Sequence, residues 1–273
     1  MRLLTLEQQK SIQLGILDAV DSYCRSESLS YSLCGGTMIG AVRHKGYIPW
    51  DDDIDLMMPR PDYDRFIKEF SHPDYYILNL AEKNYCVEQF VKVCRNGTVM
   101  EDILLKRHMW GVNIDIFPVD GLPLEYQPYT QHLRLLHSKV ELFCPYYKVV
   151  SGTKKITWFI KYCVKRLTRL SFRSIHSLKK ELDCLAHEHL PQDSPLATVV
   201  YGDFAIHPFP SEMFQHYENV LFEGKMRLCI VDRDSYLSEV YGNYMMLPPV
   251  EKQVSHHLYD SYALDDRQFA SMK

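Results

Sequence analysis

The chain has 273 residues, 46% of them hydrophobic, and a formal net charge of −4 at pH 7. This length supports a substantial core, and the slightly acidic balance argues against a nucleic-acid partner. The first residues are polar and no uncharged apolar stretch reaches about 18 residues, so we expect neither a secretory signal nor a spanning helix. The eight cysteines form no CxxC motif, which favours free thiols in a reducing cytoplasm over disulfides or a zinc site.

The first predicted element is a long helix that is capped by Thr5 and extends to about Ser26. Its apolar residues recur at helical spacing: Leu6, Ile12, Ile16, Val20 and Tyr23. We therefore expect this helix to contribute packing rather than chemistry.

A short strand is predicted over 29–34, followed by a helix over 37–43 that Thr37 caps. Gly35 and Gly36 form the turn between these two elements. A glycine turn at a helix start allows backbone N–H groups to approach a phosphate closely. This turn is therefore a candidate phosphate-binding element.

Residues 53–58 alternate acidic and apolar side chains, which predicts a strand with its apolar face toward a core. Asp53 and Asp55 then share the opposite face, about 7 Å apart along the strand. Such a pair suits hard divalent cations bound through oxygen, the usual partners of substrate phosphates. The pattern predicts a metal and phosphate site.

Further along the chain, a helix is predicted over 60–70 and strands over 75–80 and 89–94. The Asn-Gly pair at 96–97 predicts a turn that joins the last of these strands to the segment 98–100 in a hairpin.

Lys92 and Arg95 lie on the predicted hairpin. In an ordinary sheet protein they would be solvated surface charges. The alternative is that they hold phosphates opposite the metal. The residues alone leave both interpretations open.

Residues 112–117 repeat the alternation and place Asp115 on the face opposite three apolar residues. Asp115 is either a third carboxylate of the site or a polar residue at a sheet margin, and the acid pair on another strand favours the first interpretation. Pro118 and the Gly-Leu-Pro sequence at 121–123 predict the end of this strand.

We expect a catalytic core over 1–123 and a mainly helical subdomain over 124–273 that faces the acceptor or a membrane. Between Leu142 and Lys180 the chain has ten Lys or Arg residues and no Asp or Glu. Aromatic residues interleave with these bases over 154–180 at approximately helical spacing. This pattern is typical of a helix on an anionic membrane surface, and equally of a packed helix with a solvated basic face.

The His-Glu-His sequence at 187–189 cannot place two metal ligands on one helical face, so we expect its histidines to be structural or exposed. A later helix carries Tyr236 and ends at Gly242. His257 follows in the C-terminal segment.

The order of a strand, a Gly-Gly-Thr helix start and an acid–apolar–acid strand resembles the nucleotidyltransferase fold. More narrowly, GTMIGAVRHKGYIPWDDDIDLMMPR closely resembles the LicD-type phosphotransferases, the bacterial relatives of fukutin. WGVNIDIFPVDGLP at 110–123 and YLSEVYGNYMMLPP at 236–249 are similar to the same family in the same order. The resemblance implies an α+β fold, with a nucleotidyltransferase-like mixed sheet flanked by helices and a mainly helical C-terminal part.

In LicD-type enzymes the implied reaction transfers phosphocholine from CDP-choline to a sugar hydroxyl and releases CMP. Relatives move other phosphorylated alcohols, such as ribitol phosphate, from CDP donors. The implied acceptor is a cell-surface glycan or its lipid-linked precursor, which fits a cytoplasmic protein in peripheral contact with the inner face of the membrane. Mg²⁺, or Mn²⁺ in its place, would neutralise charge on the donor diphosphate and on the leaving phosphate.

The predicted metal ligands and catalytic residues are Asp53, Asp55 and Asp115. Asp115 is also the candidate general base, and Asp51 and Asp52 would orient the ligands from outside. The predicted substrate-binding residues combine the glycine turn, basic side chains and one tryptophan, with a histidine that the resemblance places near the site: Gly35, Gly36, Thr37, Arg43, His44, Lys92, Arg95, Trp50 and His257. Choline would require an aromatic cage, to which Tyr47, Trp50 or Trp110 could contribute.

Three rival interpretations remain. A nucleotidyltransferase would transfer the nucleotide part of an NTP and release pyrophosphate. A glycosyltransferase would use an Asp-x-Asp motif to bind a metal–nucleotide sugar. A catalytically silent binding module would tolerate loss of the acids, which are intact in this chain.

Overall fold

In a computed structural model, the described residues are 1–79, 90–102, 107–108, 110–143, 175–199, 207–255 and 259–265. They form a seven-stranded mixed sheet, a four-stranded antiparallel sheet and a two-stranded hairpin, with helices packed against them. The expected α+β fold class is confirmed.

The helices and strands have the following bounds. The helices are α1 (Leu6–Ser26), α2 (Gly35–His44), α3 (Arg60–Glu69), α4 (Tyr126–Phe143), α5 (Ile175–Ala186) and α6 (Arg233–Tyr241). The strands are β1 (Arg2–Leu3), β2 (Ser32–Leu33), β3 (Asp55–Pro59), β4 (Tyr75–Leu78), β5 (Val91–Arg95), β6 (Thr98–Asp102), β7 (Arg107–His108), β8 (Asn113–Leu122), β9 (Leu196–Val199), β10 (Phe209–Pro210), β11 (Tyr217–Phe222), β12 (Lys225–Ile230) and β13 (Tyr259–Ala263).

Strands β3 and β8 run parallel at the centre of the seven-stranded sheet, and their other neighbours are antiparallel to them. On the side of β8 away from β3, strand β5 pairs with the first half of β8 and β9 pairs with the second half. Because β9 lies beyond residue 123, the sheet extends across the expected domain boundary. The division into 1–123 and 124–273 stays a prediction.

Strand β8 continues through Pro118 to Leu122, so the prediction that Pro118 ends this strand is wrong. Asp115 N donates to the carbonyl of Ile54, the residue just before β3. Residues 114, 116 and 118 therefore lie on the side of β8 away from β3. The position of Pro118 on that side falls between the segments that pair with β5 and β9. Its missing N–H therefore interrupts no ladder.

Helix α1 begins with the predicted cap. The Thr5 hydroxyl oxygen accepts a hydrogen bond from Gln8 N at 3.2 Å, and Gln8 Oε1 accepts one from Thr5 N at 3.1 Å. These reciprocal bonds satisfy two N–H groups at the helix start. Apolar residues of α1 are buried in the main core beside those of α3, β3 and β8.

Two local predictions are corrected by the structure. Helix α2 begins at Gly35 with Cys34 as its N-cap, so Thr37 lies inside the helix and does not cap it. The strands on either side of Gly97 do not pair with each other, because β5 pairs with β4 and β8 whereas β6 pairs with β13 and β7. Gly97 nevertheless has the positive φ of a turn residue, at 71°.

No helix within the described ranges has both the length and the apolar composition that crossing a bilayer requires. The basic segment predicted at 154–180 lies largely outside the described residues, which resume at residue 175. Cysteines in the described part of the chain are free thiols: Cys24, Cys34, Cys94, Cys184 and Cys229.

A buried ion pair joins α3 to the second half of β8. Arg60 is 1% exposed and Asp120 is fully buried, and two hydrogen bonds of 2.6 and 2.8 Å connect them. Arg60 also contacts Asp183 of α5 at 3.3 Å. Breaking one partner of such a pair leaves a charge in a medium that solvates it poorly.

We predict that Asp120→Asn lowers the free energy of unfolding by about 3 kcal/mol, because Arg60 loses its fully buried counter-ion and keeps the more exposed Asp64 and Asp183. Urea denaturation would measure the change. Glu69→Gln is the matched control on α3, the helix that carries Arg60. It removes an exposed Arg65–Glu69 pair that contributes about 0.3–0.5 kcal/mol. Equal losses in the two variants would contradict the assignment.

His187, the residue directly after α5, contacts Asp64 of α3 at 2.9 Å, and this hydrogen bond raises the pKa of His187 above its ordinary 6.5. Because the folded-state pKa is raised, the stabilisation is complete below the unfolded pKa and is lost as pH rises through the folded value. We predict that unfolding free energy declines as pH rises above about 6.5, and that His187→Gln flattens this decline. Denaturation curves at several pH values would test this, and an unchanged slope in the variant would refute it.

Candidate active site

The centre of the site is a row of three charged residues across neighbouring strands. Asp55 on β3 is in register with Asp115 on β8, and Asp115 is in register with Lys92 on β5. Residues in register on adjacent strands point to the same face, with their backbones about 4.8 Å apart. The sheet therefore places two carboxylates and one ammonium side by side.

The other acids come from the loop that precedes β3. This strand begins at Asp55, so Asp53 lies in the loop and not on the strand face that the alternation predicted. Asp51, Asp52 and Asp53 can each direct one carboxylate oxygen so that the three atoms lie within 4.8 Å of one another. Asp51 and Asp52 were expected only to orient the metal ligands from outside. The structure places their carboxylates close enough to that of Asp53 for all three to contact one cation.

Backbone hydrogen bonds on both sides hold Asp55 in place. Its N–H donates to Thr37 Oγ1 at 2.9 Å, and its carbonyl accepts from Cys34 N at 2.9 Å. Thr37 is 3% exposed. The threonine that was expected to cap α2 instead links this helix to the acid-bearing strand.

Asp115 is bonded on both carboxylate oxygens. Lys92 Nζ lies 2.7 Å from each oxygen, and Asn113 Nδ2 donates to Oδ1 at 2.6 Å. Lys92 is 4% exposed, and its ammonium lies 4.9 and 5.1 Å from the ring centroids of Phe90 and Trp110. These aromatic faces and Asp115 compensate the buried cation.

The acids of the site repel one another. Burial is the largest cause that raises the pKa of Asp55 well above its usual value. Three nearby negative charges raise this pKa further: Asp53, Asp115 and Asp51. Lys92 acts in the opposite direction. The ammonium groups of Lys92 and Lys10, which interacts with Asp51, Asp52 and Asp53, are thus outnumbered by the carboxylates, an imbalance that a divalent cation would correct.

The glycines at the start of α2 allow a close approach of the acid loop. Gly35 has a positive φ of 53°, a conformation that favours glycine. A Cβ placed on Gly36 would lie 2.7 Å from Asp51 Oδ2. The carboxylate of Asp51 thus lies against the helix start, where the helix dipole favours negative charge.

Other predicted substrate-binding residues lie away from the acids or have partners of their own. Arg43 Nη1 donates to Tyr244 O at 2.7 Å, and Arg43 Nε donates to His44 at 2.9 Å. Burial and the Arg43 charge lower the pKa of His44. These two side chains hold the segment after α6 rather than the acid cluster.

Arg95 and Lys92 are three residues apart on β5, so their side chains point to opposite faces of the sheet. Arg95 pairs with Asp74 at 3.1 Å. Trp50 is partly buried and packs against the main core. His257 lies outside the described residues.

Some neighbours of the site were not singled out from the sequence. Burial raises the pKa of Tyr259 on β13, and the site carboxylates raise it further, as they do for Tyr241 at the end of α6. Gln9 and Gln13 of α1 donate to the carbonyl of Asp52, each at 2.9 Å. Polar residues on an otherwise apolar helix face were the available signal for the glutamines.

Comparisons with known proteins identify the family of this chain. The family described as LicD/FKTN/FKRP, nucleotidyltransferase domain, matches residues 28–121, which contain the glycine turn and all five acids. The chain is also 32% identical to the lipopolysaccharide cholinephosphotransferase LicD of Haemophilus influenzae, across 97% of this chain and 100% of that protein. The chain belongs to the LicD family. The resemblance noted in its sequence is confirmed, and this LicD-family protein is a LicD-type phosphotransferase.

Two glycines of α2 provide a matched test of the acid loop. A Cβ on Gly36 would come too close to the end of the Asp51 side chain, whereas a Cβ on Gly40 would lie 2.4 Å from the backbone oxygen of Gly46. We predict that Gly36→Ala changes stability by less than about 1 kcal/mol but weakens Mn²⁺ binding about tenfold, because Asp51 must move.

Gly40→Ala should instead lower stability by about 1–3 kcal/mol, because backbone cannot move aside as a side chain can. Its Mn²⁺ affinity should stay near that of the unaltered protein. Calorimetric titration and thermal unfolding of both variants would measure these changes. Unaltered Mn²⁺ binding in Gly36→Ala would show that Asp51 is not needed there.

Proposed function

We propose that this protein transfers phosphocholine from CDP-choline to a hydroxyl group of lipopolysaccharide, with release of CMP. The observation that carries the proposal is the register of Asp55 with Asp115 beside the Asp51–Asp53 loop. The chain also matches a lipopolysaccharide cholinephosphotransferase over 97% of its length. Another CDP-alcohol would suit the same machinery, so the choline group is the most specific part of the proposal.

The donor set fits Mg²⁺ or Mn²⁺. Every candidate ligand is a carboxylate oxygen, which these hard cations prefer, and neither thiol nor imidazole belongs to the group formed by Asp51, Asp52 and Asp53. Asp53, Asp55 and Asp115 would hold the cation, with Asp51 and Asp52 in close support. When bound, the cation would offset the negative charge of the donor diphosphate and of the departing CMP.

The residues of the chain supply positioning and proton transfer. Asp115 is the proposed acceptor of the proton from the attacking sugar hydroxyl, and its bonds to Lys92 and Asn113 keep its carboxylate in one orientation. Lys92 also places a positive charge beside the acids, where it would attract the donor phosphates. Much of the rate enhancement would then come from preorganised electrostatics.

Because the proposed acceptor is lipopolysaccharide, the proposal includes contact between this protein and a membrane. A lipid-anchored glycan would bring the protein to the inner face of the membrane, in agreement with the basic and aromatic pattern at 154–180. This contact would be peripheral.

The reaction can be tested by offering one donor at a time with Mg²⁺ and lipopolysaccharide. We expect CMP from CDP-choline, detected by chromatography, and phosphocholine on the glycan, detected by mass spectrometry. Pyrophosphate from CTP would favour a nucleotidyltransferase, and UDP from a UDP-sugar would favour a glycosyltransferase. Release of CMP from CDP-ribitol but not from CDP-choline would show that the donor carries ribitol phosphate and not phosphocholine.

We predict that Asp55→Asn and Asp115→Asn each reduce CMP release about 100-fold or more, because preorganised charge at the reacting phosphate is lost. Glu69→Gln, exposed on α3, should retain full activity. CMP release that survives the double change Asp53→Asn, Asp55→Asn would refute the metal assignment.

A further inference from the structure

The buried face of α1 contains two glutamines that apolar packing does not explain. Gln9 is 7% exposed and Gln13 is 2% exposed, and the next buried residues along this helix are Ile16, Leu17 and Val20. An amide group in such a place is destabilising unless hydrogen bonds replace its lost water. The partners of these amides therefore indicate why polar side chains occupy this face.

Both amides donate to one atom of the acid loop. Gln9 Nε2 and Gln13 Nε2 each lie 2.9 Å from the carbonyl oxygen of Asp52. A carbonyl oxygen has two lone pairs, so two donors can bond to it at once. Asp52 is the middle residue of the three-acid group, and these two hydrogen bonds attach its backbone to α1.

The orientation of each amide is determined by its neighbours. A carbonyl only accepts hydrogen bonds, so the amide nitrogens must face Asp52 and the amide oxygens must face away. The Gln13 oxygen accepts from Tyr47 Oη at 3.1 Å, and the Gln9 oxygen accepts from Ser261 Oγ on β13 at 2.8 Å. Each amide therefore has a donor partner at one end and an acceptor partner at the other.

The same network reaches the second acid-bearing segment. Gln13 Nε2 also lies 3.3 Å from Asn113 O, two residues before Asp115 on β8. One side chain of α1 thus contacts both the loop that carries Asp51–Asp53 and the strand that carries Asp115. Like-charged carboxylates repel, and Asp51, Asp52 and Asp53 precede the first residue of β3.

We propose that Gln9 and Gln13 are positioning residues, which hold the acid loop against β8 so that its carboxylates converge on a divalent cation. This inference rests on the metal site of the proposed function. Neither glutamine acts on the substrate directly. Because both amides hold the same carbonyl, loss of one leaves the other in place, and loss of both should have a larger effect than the two single losses combined.

The test compares Mn²⁺ binding, followed by the electron paramagnetic resonance signal of free Mn²⁺, in the full chain and its variants. Gln9→Met and Gln13→Met preserve side-chain length without the amide and should each weaken binding severalfold. The double variant should weaken it by about 10–100-fold. The kcat for CMP release should fall with these variants, while the KM for the acceptor should stay unchanged.

Val20→Ala is the matched control. It removes buried packing from the same helix face, about two turns and 10 Å beyond Gln13. We expect it to lower thermal stability without changing Mn²⁺ affinity. If the glutamine variants lose stability but bind Mn²⁺ as tightly as the unaltered protein, the glutamines have only a structural role and the inference is wrong.

Two further measurements keep the outcome decisive. If the double variant does not fold, Gln13→Met and Tyr47→Phe decide, because Tyr47→Phe removes only the hydroxyl that orients the Gln13 amide and should also weaken Mn²⁺ binding. Unaltered affinity in both would overturn the inference. Absence of Mn²⁺ binding by the unaltered protein would overturn the metal site itself, and with it this inference.

Discussion

The parallel pairing of β3 with β8 is the constraint on which the rest of the structure depends. It places Asp55 directly beside Asp115, on a sheet whose apolar residues form the main core. Two carboxylates at this separation repel strongly where water is excluded. Burial and this repulsion together raise the pKa of Asp55. A fold would not retain such a pair for stability, since apolar residues of similar size would be at least as stable there.

The surrounding elements limit the effect of this repulsion. Lys92 extends the row from β5 and neutralises part of the charge, and the aromatic rings of Phe90 and Trp110 face its ammonium. Thr37 ties α2 to the backbone of Asp55. The charge that remains is negative, and it is concentrated where the Asp51–Asp53 loop meets the sheet. Such an arrangement is suited to a divalent cation and to the phosphate groups that such a cation binds.

The opposite end of β8 shows the contrast between a structural and a functional charge pair. Asp120 and Arg60 are buried, and both carboxylate oxygens of Asp120 accept hydrogen bonds from the Arg60 guanidinium, which joins α3 to the sheet. At the other end of the same strand, Asp115 belongs to a group in which acids outnumber bases. The mutual repulsion of several acids around Asp55, and not the burial alone, distinguishes the candidate active site.

Local patterns in the sequence determined much of the fold. The Thr5 cap with Gln8, the helix after Gly35 and the alternation in β8 were all predictable, because capping bonds and side-chain periodicity depend on residues close in the chain. The acid pair and the segment around Asp115 were recognised for the same reason. Those patterns also supported the family resemblance.

Only the tertiary structure decided which groups meet. The expected hairpin after β5 is absent because β6 pairs with β13, from the C-terminal part of the chain, and Pro118 is tolerated because β8 changes partners there. Lys92 lies beside Asp115 while Arg95 points to the opposite face, and Gln9 and Gln13 reach Asp52 across about 40 residues of chain. Sequence periodicity specifies the face of an element, whereas strand register and helix packing depend on contacts between distant residues. For that reason the acids could be identified from the sequence, but the contacts that hold them in place could not.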